Sequence, residues 1–158
     1  MPEESLAAVL SQLAKSTTKS FAPSDFTKRL RIQKAIYLLK ALGYGPASKY
    51  AFGSYVRGPY SPQLANDYYA LPWEVVLKTN PARIPSEFLS PVADAVRRGN
   101  DFLEAAATIH IFWIRNPGQK KSGLLENVCY VKPELARHLE EAWAFLIKNR
   151  LLPAYTYT

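Results

Sequence analysis

The segment from Phe102 to Arg115 constrains the fold of this chain more than any other stretch of its sequence. We predict that it forms a helix with Asp101 as its N-cap. Apolar residues occur on nearly every side of this helix, namely Ala105, Ala106, Ala107, Ile109, Ile111, Phe112, Trp113 and Ile114. A helix without a polar face is usually the buried centre of a bundle. The segment therefore favours a fold in which other helices pack around residues 102–115.

Helix signals recur along the rest of the chain. Apolar residues at helical spacing, N-cap residues and prolines at helix starts predict further helices at residues 5–15, 26–42, 62–71, 90–98 and 133–150. Between these helices the sequence predicts a short turn or strand at 74–78, a polar loop at 116–123, and a short helix or strand at 124–131.

The whole pattern is typical of a mainly α protein. We expect a compact single-domain helical bundle over residues 1–158, because 158 residues are enough to bury one sizeable core. Residues 1–25 would form an N-terminal helix and loop, and residues 155–158 a loose tail. Alternating aromatic residues allow a short β element near residues 49–57.

Composition and targeting signals favour a cytoplasmic protein with no membrane partner. A single cysteine, Cys129, excludes an intramolecular disulfide and suits a reducing compartment. The acidic start at residues 1–4 lacks the basic region of a signal peptide. The longest uncharged apolar run, residues 105–114, is far shorter than the roughly 20 residues that a membrane span needs.

The segment from Tyr50 to Pro62 combines an aromatic run, a Gly-Pro turn and the start of a helix. Gly58 can adopt turn dihedrals closed to other residues, Pro59 fixes the next φ, and Ser61 is a suitable N-cap. We therefore expect a rigid corner that presents Arg57 beside a helix N-terminus. The aromatic residues at and beside this corner could stack on bases or form half-buried walls: Tyr50, Phe52, Tyr55, Tyr60, Tyr68 and Tyr69.

Positive charge is concentrated before and within this corner. Residues 1–60 hold nine Lys and Arg against three Asp and Glu, a net charge of +6 out of +7 for the chain. The predicted helix 26–42 contains no acidic residue, and we expect its polar side chains to project away from its apolar stripe: Arg29, Gln33, Lys34, Tyr37 and Lys40. Such a face suits an acidic protein or a nucleic acid, while simple solubility is the alternative interpretation.

The residues that usually carry catalysis do not form a recognisable set in this sequence. His110 lies in the apolar helix, where a hydrogen-bonded core histidine is the expected role, and His138 is expected to be solvated. Cys129 has no basic neighbour and is commonly a packing residue in such a position. No phosphate-binding glycine loop or zinc-like spacing occurs. We expect a protein that is not an enzyme and that needs no metal or cofactor.

The run from Leu30 to Leu39, followed by an aromatic segment and Gly58-Pro59, resembles the Panacea domain. This is the SocA-like, antitoxin-associated family, together with its uncharacterised YwgA-like relatives. Ile32-Gln33-Lys34 and Tyr37 match the helix motif of the family, and residues 57–61 match its corner motif with Arg57 where Tyr is usual. The YwgA-like form is more similar, since Gly-Pro-Tyr-Ser is followed by Leu64 and Asp67.

The resemblance covers about residues 28–71 and 102–152. It implies a helical domain that acts through protein contacts, often by neutralising a toxin or presenting a partner for degradation, and it implies no catalytic residues. The segment 73–90 matches the family poorly, which leaves the inherited partner open.

These observations predict a non-enzymatic protein-interaction module, antitoxin-like or adaptor-like, whose partner is a protein such as a toxin. The alternative is a nucleic-acid-binding regulator that uses the basic helix 26–42. In both cases the expected contact surface comprises Arg29, Gln33, Lys34, Tyr37, Arg57, Gly58, Pro59 and Tyr60. The sequence leaves the oligomeric state open.

Overall fold

A computed structural model describes residues 5–55 and 58–154 and has the mainly α architecture that the sequence predicts. Its α-helices are α1 (Leu6–Thr17), α2 (Phe26–Ala41), α3 (Pro62–Tyr69), α4 (Trp73–Lys78), α5 (Ser86–Arg97), α6 (Asn100–Arg115), α7 (Lys121–Val131) and α8 (Leu139–Lys148). Short 3-10 helices occupy Gly45–Ala47 and Pro133–His138. The predicted loose tail at 155–158 lies outside the described residues.

Two short strands form the β element near the aromatic corner. β1 (Gly53–Tyr55) pairs with β2 (Gly58–Tyr60) in an antiparallel hairpin, with Gly53 opposite Tyr60. The hairpin packs against α2 and α6. A β element in this region agrees with the alternation in the sequence, although it begins later than residue 49 and extends beyond residue 57.

Helix α6 is the buried centre of the fold, as its lack of a polar face predicts. Every residue from Phe102 to Ile111 is buried. The helix packs against α2, α5, α7, α8 and the hairpin, which cover its residues up to Ile111 on all sides. Its last turn is less covered, and Ile114 is exposed. The buried apolar side chains of the described residues form one continuous cluster.

Local capping explains why several helices begin where the sequence predicts. The Asp25 side chain accepts a hydrogen bond from the backbone nitrogen of Lys28 at 2.9 Å, and this contact starts α2. Ser61 does the same for Leu64 at the start of α3, with Pro62 as the first helical residue. Each cap satisfies a backbone donor that the first helical turn leaves without a partner.

Two predicted helix starts are wrong. Helix α5 begins at Ser86 rather than at Ser90-Pro91, so Pro91 lies inside the helix. A proline inside a helix removes the hydrogen bond that its nitrogen would have donated, and its ring crowds the carbonyl four residues earlier. Helix α5 nevertheless continues through Pro91. Helix α6 is capped by Gly99, and Asp101 lies in its first turn, where a carboxylate complements the positive end of the helix dipole.

Three other boundaries also differ from the prediction. Residues 73–78 form a helix instead of a turn or strand. Prolines flank this helix and do not interrupt it, since Pro72 precedes it and the next proline lies beyond its end. The predicted loop 116–123 ends at Lys120, and α7 begins at Lys121. The predicted final helix 133–150 is a 3-10 helix followed by α8.

Among the described residues, we find no helix whose length and apolar character would let it cross a membrane.

Candidate functional site

The polar side chains of α2 hold the aromatic corner in place. Gln33 makes two hydrogen bonds to the backbone of Ser61: its Nε2 donates to the carbonyl at 3.0 Å, and its Oε1 accepts from the nitrogen at 2.8 Å. Lys34 Nζ donates to the carbonyl oxygen of Pro59 at 2.7 Å. Lys40 Nζ donates to the carbonyl oxygen of Tyr50. Because these bonds reach both ends of the segment 50–61, α2 fixes the position of the hairpin.

This arrangement corrects the predicted outward face of α2. Gln33 and Lys34 are each 1% exposed, and Tyr37 is 5% exposed, so none of the three projects into solvent. The helix has two buried sides: one packs into the apolar core, and the other binds the corner. Polar residues on the second side therefore face backbone carbonyls of the protein itself.

The corner residues of the predicted contact surface are also mostly interior. Gly58 and Pro59 are buried, while Tyr60 is half-buried. Arg57, which the sequence predicts at the tip of the corner, lies outside the described residues. Of the eight predicted surface residues, only Arg29 and Tyr60 combine partial exposure with a described position.

Gly58 occupies a position that only glycine fits. Its φ of +83° lies in the left-handed region, and a Cβ atom placed on it would come within 2.4 Å of the Thr108 side-chain oxygen. The corner therefore approaches the central helix α6 more closely than any side chain permits. This contact gives a physical reason for the glycine in the Gly-Pro turn.

Tyr37 reaches the central helix through a buried polar contact. Its hydroxyl lies 2.6 Å from Nδ1 of His110. Burial raises the pKa of Tyr37 and lowers the pKa of His110 to about 4, the latter opposed by a backbone hydrogen bond to Leu151. The imidazole is therefore neutral at pH 7. The expected role of His110 as a hydrogen-bonded core histidine is confirmed.

An aromatic groove lies between α2, the hairpin and α3. It encloses about 480 Å³, within the usual range of ligand pockets, and is lined by Phe26, Arg29, Leu30, Gln33, Lys34, Tyr55, Tyr60, Tyr68 and Tyr69. Phe26 is 51% exposed, Tyr55 is 51% exposed and Tyr69 is 62% exposed, so the groove opens to solvent through aromatic rings. We call this set of residues the aromatic groove.

The rings of the groove are arranged in two contacting pairs. Tyr55 meets Tyr60 edge to face at 5.6 Å between ring centroids, and Tyr68 meets Tyr69 at 5.0 Å. The first pair belongs to the hairpin and the second to α3. Burial raises the pKa of Tyr68, whose side chain also bonds Gln33, so this tyrosine stays protonated at neutral pH.

The structure brings together only part of the predicted site. Arg29, Gln33, Lys34 and Tyr60 line the groove, whereas Tyr37 lies outside it. Three further lining residues, Tyr55, Tyr68 and Tyr69, belong to the aromatic residues that the sequence indicates as able to stack on bases or form half-buried walls. Phe26 and Leu30 carried no signal that distinguishes them from ordinary helix residues.

Of the cations of α2, Arg29 and the buried Lys34 line the aromatic groove, whereas Lys28, Arg31 and Lys40 do not. Lys28 Nζ lies 3.6 Å from the Asp25 carboxylate. Arg31 donates hydrogen bonds to Asn100 Oδ1 at 3.2 Å and to the carbonyl oxygen of Ser20 at 2.6 Å. With Lys34 and Lys40 directed toward the corner, the positive charge of the helix is dispersed over several sides.

Residues 5–55 and 58–154 contain no group of three or more His, Cys, Asp or Glu side chains close enough to hold a metal ion. Cys129 is partly buried on α7, away from the aromatic groove. Comparisons with protein-family models, with curated proteins and with solved structures found no match to this chain.

Proposed function

We propose that this protein is a non-enzymatic interaction module that docks a segment of a partner protein in the aromatic groove. The observation that carries the proposal is the exposure of Phe26, Tyr55 and Tyr69 around one concave site. Exposed aromatic rings that converge on a pocket are characteristic of protein interfaces, where tyrosine and arginine are enriched among the residues that dominate affinity.

The hydrogen bonds beneath the groove support the same proposal. Gln33 and Lys34 bind the backbone of Ser61 and Pro59, so the hairpin wall is held in position before any partner arrives. A preorganised site loses less conformational entropy on binding. The two segments of the Panacea-like motif, Gln33-Lys34 and Gly58-Pro59, thus have a structural role here, and an antitoxin-like or adaptor-like role remains part of the proposal.

Nucleic acid binding is the second candidate function. The tyrosines beside Arg29 favour it, because bases stack on aromatic rings next to a cation. We rank it second because the cations of α2 point in different directions, whereas a strand needs a continuous positive track for its phosphates.

Photo-cross-linking from the groove tests the proposal. A photoreactive phenylalanine replaces Tyr69 in one version of the protein and Tyr130 in the other. Tyr130 is 90% exposed on α7 and does not line the groove, which makes it a matched control. We expect position 69 to give a discrete protein adduct and position 130 to give none. An excess of unmodified protein should suppress the adduct from position 69.

Adducts are then treated separately with protease and with nuclease. If nuclease removes the adduct from position 69, the result would favour nucleic acid binding over protein docking. Adducts of equal yield and identity from both positions would contradict a specific role of the groove.

A further inference from the structure

The charge of the aromatic groove narrows the chemistry of the segment that it can hold. Arg29 and Lys34 both line it, and none of the described residues on its walls is acidic. The carboxylate nearest to Arg29 in sequence, Asp25, does not line the groove. It accepts a hydrogen bond from the backbone nitrogen of Lys28 at 2.9 Å and lies 3.6 Å from Lys28 Nζ. This backbone hydrogen bond lowers the pKa of Asp25, and the charges of Lys28 and Arg29 lower it further. The groove is therefore a cationic site, and it attracts an anionic group.

Arg29 is the cation that is placed to meet such a group. Its Cζ lies 5.8 Å from the centroid of the Tyr69 ring, at the open side of the groove. Among the described residues, only the carbonyl oxygen of Pro23 accepts a hydrogen bond from it, at 3.4 Å. Most of the five N–H donors of the guanidinium thus remain available for a carboxylate, which they bind in a forked geometry.

The walls next to Arg29 suit a flat or long apolar side chain. Tyr55 and Tyr60 of the hairpin, Tyr69 of α3 and Phe26 at the start of α2 all line the groove. Aromatic rings in such surroundings prefer edge-to-face and offset contacts, and each such contact adds to the gain from burial alone.

We infer that the occupant is a protein segment in which an aromatic side chain lies next to a carboxylate. The ring enters between the hairpin and α3, and the carboxylate pairs with Arg29. This inference rests on the proposed docking function and adds the chemistry of the partner. A single carboxylate matches the single outward cation among the described lining residues, whereas a nucleic acid strand places a phosphate at every nucleotide.

Three small probes that differ only in charge test the inference. They are N-acetyl-tryptophan as its carboxylate, the neutral N-acetyl-tryptophanamide, and the cationic tryptamine. Binding to the full chain is followed by chemical-shift changes of the tyrosine rings in NMR titrations. We expect the carboxylate to bind on the order of tenfold more tightly than the amide, as a charge-assisted hydrogen bond implies, and tryptamine to bind least.

Two variants of α2 locate the effect. Arg29→Met keeps an apolar stem of similar length and should equalise the affinities of the carboxylate and the amide. Lys28→Met removes a neighbouring cation that does not line the groove, and should keep the preference for the carboxylate. Proton and nitrogen correlation spectra of both variants verify that they fold like the parent protein.

The inference is overturned if the amide or tryptamine binds as tightly as the carboxylate, if no probe shifts the groove tyrosines, or if Lys28→Met abolishes the preference as fully as Arg29→Met. It is also overturned if a short oligothymidine displaces the carboxylate probe with a steep dependence on salt. Failure of the proposed function is seen separately, as equal cross-linking from positions 69 and 130.

Discussion

The ammonium group of Lys34 and the carbonyl oxygen of Pro59 meet at 2.7 Å in the interior of the protein, where both residues are buried. A lysine from the most basic helix thus binds the turn that follows the aromatic strand, and does not face solvent. This contact and the paired bonds between Gln33 and Ser61 determine where the hairpin wall of the aromatic groove lies.

Lys34→Met should destabilise the fold, because it leaves the buried carbonyl oxygen of Pro59 without this donor. We expect a loss of about 1–3 kcal/mol in the free energy of unfolding, measured by urea denaturation. Lys28→Met is the control, since its salt bridge to Asp25 is exposed and should contribute less than about 1 kcal/mol. Equal losses for the two substitutions would show that the hydrogen bond to Pro59 contributes no more to the free energy of unfolding than an exposed salt bridge.

Gly58→Ala should be among the most destabilising glycine substitutions in the chain. The positive φ and the close approach to Thr108 both oppose a side chain here, and strain of this kind costs on the order of 1–3 kcal/mol. Gly118→Ala is the matched control, because no atom lies within 4 Å of the added Cβ atom. Thermal denaturation should show a lowered midpoint for Gly58→Ala alone, and an unchanged midpoint would mean that the corner can move away from α6.

Burial of His110 should make the protein sensitive to acid. The pKa of His110 falls from 6.5 to about 4 on folding, so the unfolded chain binds an extra proton between these values. The contribution of neutral His110 to the free energy of unfolding is fully present above pH 6.5. It is lost as the pH falls toward 4, by about 3 kcal/mol in total.

Denaturation at a series of pH values checks this expectation. His110→Gln should remove this part of the pH dependence, while His138→Gln, at a half-exposed position, should keep it. A parent protein whose stability is the same at pH 7 and pH 4.5, or a His110→Gln variant with the parent's profile, would contradict the assignment to His110.

The buried ion pair between Lys132 and Glu104 should affect the free energy of unfolding mainly when one of its two charges is removed. The two charged groups are 2.8 Å apart, with side chains 4% and 6% exposed. Lys132 Nζ also lies 3.2 Å from the exposed carboxylate of Glu134. Glu104→Leu alone should therefore cost up to about 3–5 kcal/mol, because the buried ammonium group loses its buried carboxylate, and Glu104→Leu with Lys132→Met should recover much of the loss.

The pair of Lys121 and Glu140 is the control for this experiment. It has the same 2.8 Å separation, but Glu140 is 74% exposed. Glu140→Leu should change the free energy of unfolding by less than about 1 kcal/mol. If the double variant at 104 and 132 is no more stable than Glu104→Leu, the loss does not come from the buried ammonium group of Lys132.

The sequence predicted those parts of the fold that depend on local signals. Asp25 and Ser61 cap their helices, and the lack of a polar face on residues 102–115 gave the buried centre, because both are properties of a single segment. The predicted helix starts at Pro91 and Asp101 are wrong, because Pro91 lies in the second turn of α5 and Asp101 in the first turn of α6.

The candidate site was harder to predict because it depends on contacts between distant segments. Nothing in the sequence of α2 distinguishes a lysine that binds a buried carbonyl from one that faces solvent, so Lys34 was expected on the surface. Tyr55 and Tyr69 lie on different elements, and their shared groove follows from where α2 holds the hairpin. Arg29 and Tyr60 were correctly expected to be accessible.

The most direct measurement of the central claim is the dissociation constant of the partner that is cross-linked from the groove, compared between Tyr69→Ala and Tyr130→Ala. If the aromatic groove is the docking site, Tyr69→Ala weakens binding by about 30-fold, as truncation of a dominant interface residue does, and Tyr130→Ala leaves it within about twofold. Equal affinities of the two variants for the partner would contradict the claim.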